Sequence, residues 1–208
     1  MNTLPVEVAI LAKAPVAGLA KTRLIPAVGA AGAARLHRRL VLRTLAVVLD
    51  AGMVPTLWCA PSPAHRFFRA LQVWASIDCK TQAEGDIGQR MHAVFEQHAR
   101  RSTAPLLLIG SDCPVFSASH LRQAAQRLLW GDEAVVTPAE DGGYVLMGLK
   151  QPQATLFEGL AWSTSEVMAQ TRQRLHAAGL RYSEMPTLWD VDTPQDLARW
   201  QALAAGQA

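Results

Sequence analysis

The sequence predicts an α/β domain with a central, mostly parallel sheet covered by helices on both faces. Three observations predict it. Short, largely apolar runs recur at 6–11, 54–59, 105–109, 134–137 and 144–149, as strands buried on both faces do. Stretches with helical apolar spacing separate most of these runs, the alternation expected of βαβ units. The chain has 208 residues and a mass of 22.5 kDa, half of it apolar, which suits one domain spanning 1–208 with a sizeable core.

The elements follow in order. The first strand, 6–11, runs into a long loop rich in small residues and cations. Apolar residues at Ala34, Leu36, Leu40, Val41, Leu45 and Val48 predict a helix over 31–49, with Gly52 just beyond its end. A strand at 54–59 follows, then a short helix opened by Pro61-Ser62-Pro63, then a weaker strand at 77–82. Residues 87–100 read as a helix and 105–109 as the clearest buried strand. Ser117 caps a helix over 117–129. Strands at 134–137 and 144–149 flank a Glu-Asp-Gly-Gly turn. A helix over 163–178 closes at Gly179, with Ser163 and Glu166 spaced as a capping box. A short strand at 180–185 and a helix at 194–203 complete the pattern.

Composition excludes several function classes. Lys and Arg number 20 against 17 Asp and Glu, a net charge of +3, with no basic cluster interleaved with aromatics, so no nucleic acid partner is expected. Residues 6–14 are too short, and carry a lysine, for a membrane span or a signal core. Cys59, Cys79 and Cys113 are odd in number and lack metal or disulfide spacing. A reducing, cytoplasmic setting is the expectation.

In folds of this class ligands sit beyond the carboxyl ends of the strands, so the loops there carry the candidate chemistry. The first, Ala12-Lys13-Ala14-Pro15-Val16-Ala17-Gly18-Leu19-Ala20-Lys21-Thr22-Arg23, combines small residues with three cations. Backbone N–H groups can approach an anion there while Lys13, Lys21 and Arg23 neutralise it. It is no P-loop, because the required glycine spacing is missing. After the strongest strand stands Gly110-Ser111-Asp112-Cys113-Pro114. A strand-tip carboxylate at Asp112 suits Mg²⁺ or Mn²⁺ bridged to diphosphate oxygens; helix capping is the bland alternative, although Ser117 already offers a cap. Cys113 reads as a packed side chain.

Trp189-Asp190-Val191-Asp192-Thr193-Pro194 offers a second carboxylate for the cation, Asp192, with Asp190 as a further candidate; equally, Thr193 and Pro194 simply open the last helix. Asp86 and Arg90, at a helix start after Gly85, suit a base or ribose, against ordinary capping by Asp86. Glu140-Asp141-Gly142-Gly143-Tyr144 is either a hairpin turn or a loop in which Asp141 accepts a proton from an acceptor hydroxyl. Trp162 is an acceptor-site wall or a packing residue.

Taken together, Ala12-Lys13-Ala14-Pro15, Lys21-Thr22-Arg23-Leu24, Gly85 to Met91, Gly110 to Pro114, Asp141 to Tyr144, Trp162-Ser163-Thr164 and Asp190 to Pro194 resemble, in order, the motifs of a bacterial family of small GT-A-type glycosyltransferases. Some of its members are named for arsenosugar biosynthesis. The resemblance covers nearly the whole chain. It implies the GT-A (nucleotide-diphospho-sugar transferase) fold, a central mixed sheet flanked by helices. It also implies a nucleotide-sugar donor, a small-molecule acceptor and Mg²⁺ or Mn²⁺.

On that reading Asp112 takes the place of the metal-motif aspartate, and Asp192 joins it as ligand. Ala12, Lys13, Gly18, Lys21, Arg23, Asp86, Arg90 and Ser111 hold the nucleotide and its phosphates. Asp141 and Asp112 are catalytic, and Gly142, Gly143, Tyr144 and Trp162 face the acceptor. One departure is plain: the usual Asp-x-Asp is Ser111-Asp112-Cys113 here. Ala20 to Leu24 also resembles phospholactate guanylyltransferases, so transfer of a nucleotidyl group from a nucleoside triphosphate is the alternative. A non-catalytic nucleotide-binding protein is the third reading.

Overall fold

The computed structural model describes residues 5–205. Its strands are β1 (Glu7–Lys13), β2 (Val54–Ala60), β3 (Asp78–Thr81), β4 (Leu106–Gly110), β5 (Ala134–Pro138), β6 (Tyr144–Leu149) and β7 (Tyr182–Glu184). Between and after them lie α1 (Ile25–Asp50), α2 (Arg66–Ala75), α3 (Ile87–Ala99), α4 (Ala118–Leu129), α5 (Val167–Ala177) and α6 (Pro194–Ala205). The strands form one seven-stranded sheet in the order β3-β2-β1-β4-β6-β5-β7.

The sheet is mixed in the expected sense. β1 pairs in parallel with β2 and β4, β2 with β3, and β5 with β7. Only β6 runs against its neighbours β4 and β5, because the short 139–143 loop turns the chain straight back from β5. The wholly apolar strands are explained by cores on both faces. Val8, Ile10, Leu107 and Ile109 pack with α1, α2 and α4 on one side. Ala9, Leu106, Leu108 and Met147 pack with α3 and α5 on the other. Each buried Leu, Ile or Val contributes about 1.5–3 kcal/mol relative to exposure.

A third, smaller cluster matters most for function. Leu24, Leu36 and Leu40 meet Trp189, Val191 and Leu197, so α1 and the segment before α6 are packed together. Trp189 and Val191 are buried while Asp190 and Asp192 remain partly exposed, an extended-chain alternation that buries two apolar side chains and turns two carboxylates the other way. Arg199 of α6 covers the Trp189 ring at 4.3 Å and pairs with Glu140 at 2.6 Å, tying α6 to the hairpin loop.

Three boundaries differ from the sequence reading. The short helix expected to open at Pro61-Ser62-Pro63 begins at Arg66, capped by His65. The helix expected over 31–49 starts six residues earlier, at Ile25, and is kinked at Gly29, whose φ of 71° and ψ of 164° are not helical. Gly29 and Gly32 and the run of alanines hide its apolar period. The helix expected over 163–178 starts at Val167. Ser163 takes φ 63°, so no Ser163–Glu166 capping box forms; Thr164 Oγ1 instead donates to the Ala161 carbonyl at 2.7 Å. Among the described residues no helix is long and apolar enough to cross a membrane.

Candidate active site at the switch point of the sheet

From β1 the chain proceeds outward to β2 and β3, while β4 leads to the opposite half of the sheet. The loops after β1 and β4 therefore diverge, and a crevice opens between them where ligands bind in such sheets. A cleft of about 390 Å³ occupies this place. Ala12 and Lys13 from the end of β1 line it, as do Lys21 and Arg23 from the loop beyond. Gly110, Ser111 and Asp112 line it from β4, Arg90 from α3, and Asp192 from the segment before α6.

The two distant acidic loops meet. The Val191 N–H donates to the Asp112 carbonyl at 3.0 Å, and one ammonium stands between the two side chains. Lys21 Nζ lies 2.7 Å from Asp112 Oδ2 and 3.7 Å from Asp192 Oδ1. The Lys21 side chain is only 5% exposed. Arg23, itself exposed, pairs with the other oxygen of Asp192. Lys21 adopts φ 50° and ψ 48°, the left-handed region that residues other than glycine rarely take. The turn thus accepts backbone strain to drive this side chain inward, an outlier of the kind that gathers at functional sites.

The other oxygen of Asp112 faces His37, whose Nδ1 is 3.4 Å away, and Ser111 Oγ, also at 3.4 Å. His37 lies on the buried side of α1, and its Nε2 donates to the Lys13 carbonyl at 2.9 Å. Burial alone would raise the Asp112 carboxyl; the Lys21 ammonium and then His37 outweigh it and hold the group well below the usual carboxylate range. Asp112 is an anion at any physiological pH.

Asp190 behaves oppositely. Burial first, then the carboxylate of Asp141, push its carboxyl up to about 6, with Asp112 and Asp192 adding to the effect against Lys21. Asp190 thus lies within electrostatic reach of both the cleft and the hairpin loop. Because its native pKa is raised, the stability it contributes is fully present below about pH 4 and is lost as pH rises through 6. Without metal or nucleotide, Asp190→Asn is therefore expected to match the wild type near pH 4 and to exceed it at pH 7 by on the order of 1–3 kcal/mol. Denaturant unfolding at the two pH values measures this; parallel profiles would reject it.

The remaining sequence candidates are placed as follows. Gly18, at φ 85°, shapes the first loop without lining the cleft. Asp86 caps α3 in a capping box with Gln89, accepting from its N–H at 2.8 Å, so its carboxylate serves the helix. Arg90 lines the cleft, and its Nε is buried without a partner. Asp141 is exposed and accepts from the Gly143 N–H at 2.9 Å within its own loop. Gly142 sits against the backbone of Ser165. Tyr144 and Trp162 pack edge to face at 6.3 Å; the Tyr144 hydroxyl is aimed at Met91 Sδ, 3.7 Å away, and Trp162 Nε1 is buried without a partner. Those two rings stand behind the hairpin loop and not in the cleft.

Ser117 caps α4 through the His120 N–H at 3.1 Å, which frees Asp112 from that duty. Thr193 and Asp196 cap α6 reciprocally: Asp196 Oδ2 accepts from the Thr193 N–H at 2.7 Å and Thr193 Oγ1 from the Asp196 N–H at 3.3 Å. Asp192 is likewise left to the cleft. Burial pushes the Cys113 thiol up to about 12, consistent with packing. Sequence reasoning passed over His37 and Gln82. His37 carried a signal, a histidine within the apolar stripe of Ala33, Leu36 and Leu40. Gln82, whose amide donates to the Ala12 and Trp58 carbonyls at 3.2 and 2.7 Å, carried none.

Known proteins resemble this arrangement. A family profile described as "Uncharacterized protein conserved in bacteria (DUF2064)" matches residues 44–164. The chain is similar to a structure named "putative nucleotide-diphospho-sugar transferase from Desulfovibrio desulfuricans G20", with TM-score 0.83 and 27% identity over 91% of this chain and 83% of that one. It shares the fold of CMP:2-keto-3-deoxy-manno-octonic acid synthetase solved with CTP, at TM-score 0.62 and 15% identity over 98% and 99% of the two chains. The same holds for 4-diphosphocytidyl-2C-methyl-D-erythritol synthase from Anaerococcus prevotii DSM 20548, at TM-score 0.64 and 11% identity over 97% of each. No curated protein matches the chain. The fold is that of the nucleotide-diphospho-sugar transferases.

Proposed function

We propose, from the premise that this chain belongs to the DUF2064 family of bacterial proteins, that it is a transferase moving a sugar from a nucleotide-diphosphate donor to a small acceptor. The observation that carries the reading is the switch-point cleft, where Lys13, Lys21 and Arg23 converge with Asp112 and Asp192. Its likeness to the Desulfovibrio desulfuricans G20 structure named for nucleotide-diphospho-sugar transfer supports the same reading.

The residues divide the work by chemistry. Lys13 and Arg23, exposed at the mouth, meet the diphosphate and offset charge on the departing nucleoside diphosphate. Ala12, Arg90 and Ser111 line the space left for the nucleoside. Asp141, exposed and close enough to raise the Asp190 carboxyl, accepts the acceptor's proton as general base.

The site also fits a divalent cation. Two carboxylates converge on one ammonium, Lys21 Nζ, a position shaped for positive charge. Asp112 would hold Mg²⁺ or Mn²⁺, and Asp192 would join once Lys21 moves to the phosphates. Such an ion, when bound, neutralises diphosphate oxygens and orients the leaving group. Among the described residues no three His, Cys, Asp or Glu side chains form a ready cage, in keeping with an ion completed by substrate phosphates.

One observation favours a second reading, transfer of a nucleotidyl group with release of pyrophosphate. Three cations, Lys13, Lys21 and Arg23, reach the cleft from one loop, a set that also suits a triphosphate. A thermal-shift panel with Mn²⁺ separates the two. Stabilisation by nucleoside diphosphates and their sugars, and not by triphosphates, is expected; at 100 times the dissociation constant it amounts to about 2.7 kcal/mol. Stabilisation by triphosphates alone, with pyrophosphate released on turnover, would replace the first reading by the second.

A further inference from the structure

The geometry points to guanine as the base of the donor nucleotide, read by the Arg90 guanidinium and the Gln82 side-chain oxygen. The inference rests on the transferase reading above and names the nucleotide that reading leaves open. Its starting point is a pair of polar side chains that line the cleft together, one able only to accept and the other only to donate.

Gln82 is held in one orientation. Its backbone N–H donates to the Cys59 carbonyl at 3.1 Å. Its side-chain nitrogen donates to the carbonyls of Ala12 and Trp58, at 3.2 and 2.7 Å. Carbonyls cannot donate, so the amide nitrogen must face them, and both of its hydrogens are spent. What Gln82 offers a ligand is therefore Oε1 alone, an acceptor with two lone pairs. The three bonds fix that oxygen at the ends of β1 and β2 before a ligand arrives, which lowers the ordering cost of binding.

Arg90 is the complement, a side chain with donors and no acceptor. It stands in the first turn of α3, three residues after Ile87, so the two share one face of the helix, and both line the cleft. Its Nε is buried without an acceptor, so the protein leaves the inner part of the guanidinium unanswered. Leu19 and Ile87 are among the exposed large apolar side chains, and both line the same cleft. They give a planar ring an apolar surface to lie against.

The common bases meet such a pair differently. Guanine sets two acceptors side by side, O6 and N7, and two donors side by side, N1–H and the 2-amino group. The acceptors match the fork of a guanidinium, the commonest specific contact to this base. The donors match the two lone pairs of one amide oxygen. Adenine and uracil alternate donor and acceptor along their edges, so neither takes a fork on adjacent atoms. Cytosine has adjacent acceptors but only its amino group for Gln82, one bond fewer. Polar groups left unpaired in a closed site are costly, which turns this tally into a preference.

Isothermal titration of the full chain with nucleoside diphosphates, in the presence of Mn²⁺, tests the assignment. GDP is expected to bind roughly 10–100-fold more tightly than ADP, CDP or UDP. IDP, which lacks only the 2-amino group, should bind roughly 3–10-fold more weakly than GDP. In Arg90→Met the lead of GDP should shrink to about threefold or less, with the other three nucleotides little changed. An equal loss for every base would instead place Arg90 on the phosphates and overturn the assignment, as would IDP binding as tightly as GDP. Should the variant not fold, the wild-type order decides by itself: a flat order, or one led by another base, overturns guanine and leaves the transferase reading standing. No binding of any nucleoside diphosphate overturns both.

Discussion

Replacing Asp112 with asparagine is expected to lower turnover at least roughly 100-fold and to abolish the dependence of nucleotide binding on a divalent cation. The side chain keeps its shape and its acceptor oxygen but loses the charge that answers Lys21 at 2.7 Å. Breaking a fully buried pair costs about 3–5 kcal/mol. Asp112 is 36% exposed, and Asp192 still faces the lysine, so about 1–2 kcal/mol is expected in the ligand-free protein. The pH dependence has a definite direction. Asp112 has a depressed native pKa, so the stability it contributes is present above about pH 4 and is lost as pH falls further. The gap between wild type and Asp112→Asn should therefore close in acid. Isothermal titration with a nucleotide, with and without Mn²⁺, and unfolding at pH 7 and pH 3 measure both effects. Unchanged metal-dependent binding in the variant would remove Asp112 from the centre of the site.

The second large effect belongs to Gly142→Ala. Gly142 has φ 89°, and an added Cβ would lie 2.2 Å from the Ser165 carbonyl oxygen and 2.5 Å from its Cα. Both are backbone atoms, so neither can swing aside. The Gly142 carbonyl also accepts from the Met168 N–H at 2.8 Å, in the first turn of α5. The left-handed conformation and the overlap together cost about 2–4 kcal/mol, a fall in Tm of roughly 5–15 °C for a domain of this size. Turnover should fall as well, since Asp141 is carried on the displaced loop, while nucleotide binding to the folded fraction should persist because Gly142 does not line the cleft. A Tm within a degree of wild type would mean that the two loops do not pack as described.

Much of this was legible in the sequence for physical reasons. β4 and β6 announce themselves because strands covered on both faces must be apolar throughout. Capping at Ser117 follows from a short hydroxyl side chain ahead of an apolar period. The cationic loop and Asp112 were legible because strand ends at a switch point are where charge can gather without burial. Other features depend on contacts between distant segments. Nothing local says that Lys21 folds inward, because that follows from a left-handed turn and two carboxylates supplied from positions 112 and 192. Asp86 illustrates the reverse, a charge beside glycines that the structure spends on the helix end. Tyr144 and Trp162 are aromatic residues near glycines whose partners, Met91 and Gly88, lie on α3; pairwise spacing could not separate a binding wall from a packing layer.

The closure of the acidic loops has a consequence for the order in which the chain acquires its parts. The β1 loop and Asp112 are made within the first 112 residues, and strands β1 to β6 are complete by residue 149. Asp190 and Asp192 arrive only with the Val191–Asp112 hydrogen bond and the Trp189–Val191–Leu197 packing. Along the sequence, six of the seven strands and the whole cationic loop thus precede both late carboxylates. The segment between β7 and α6 is thus the one that converts an anion trap into a balanced site.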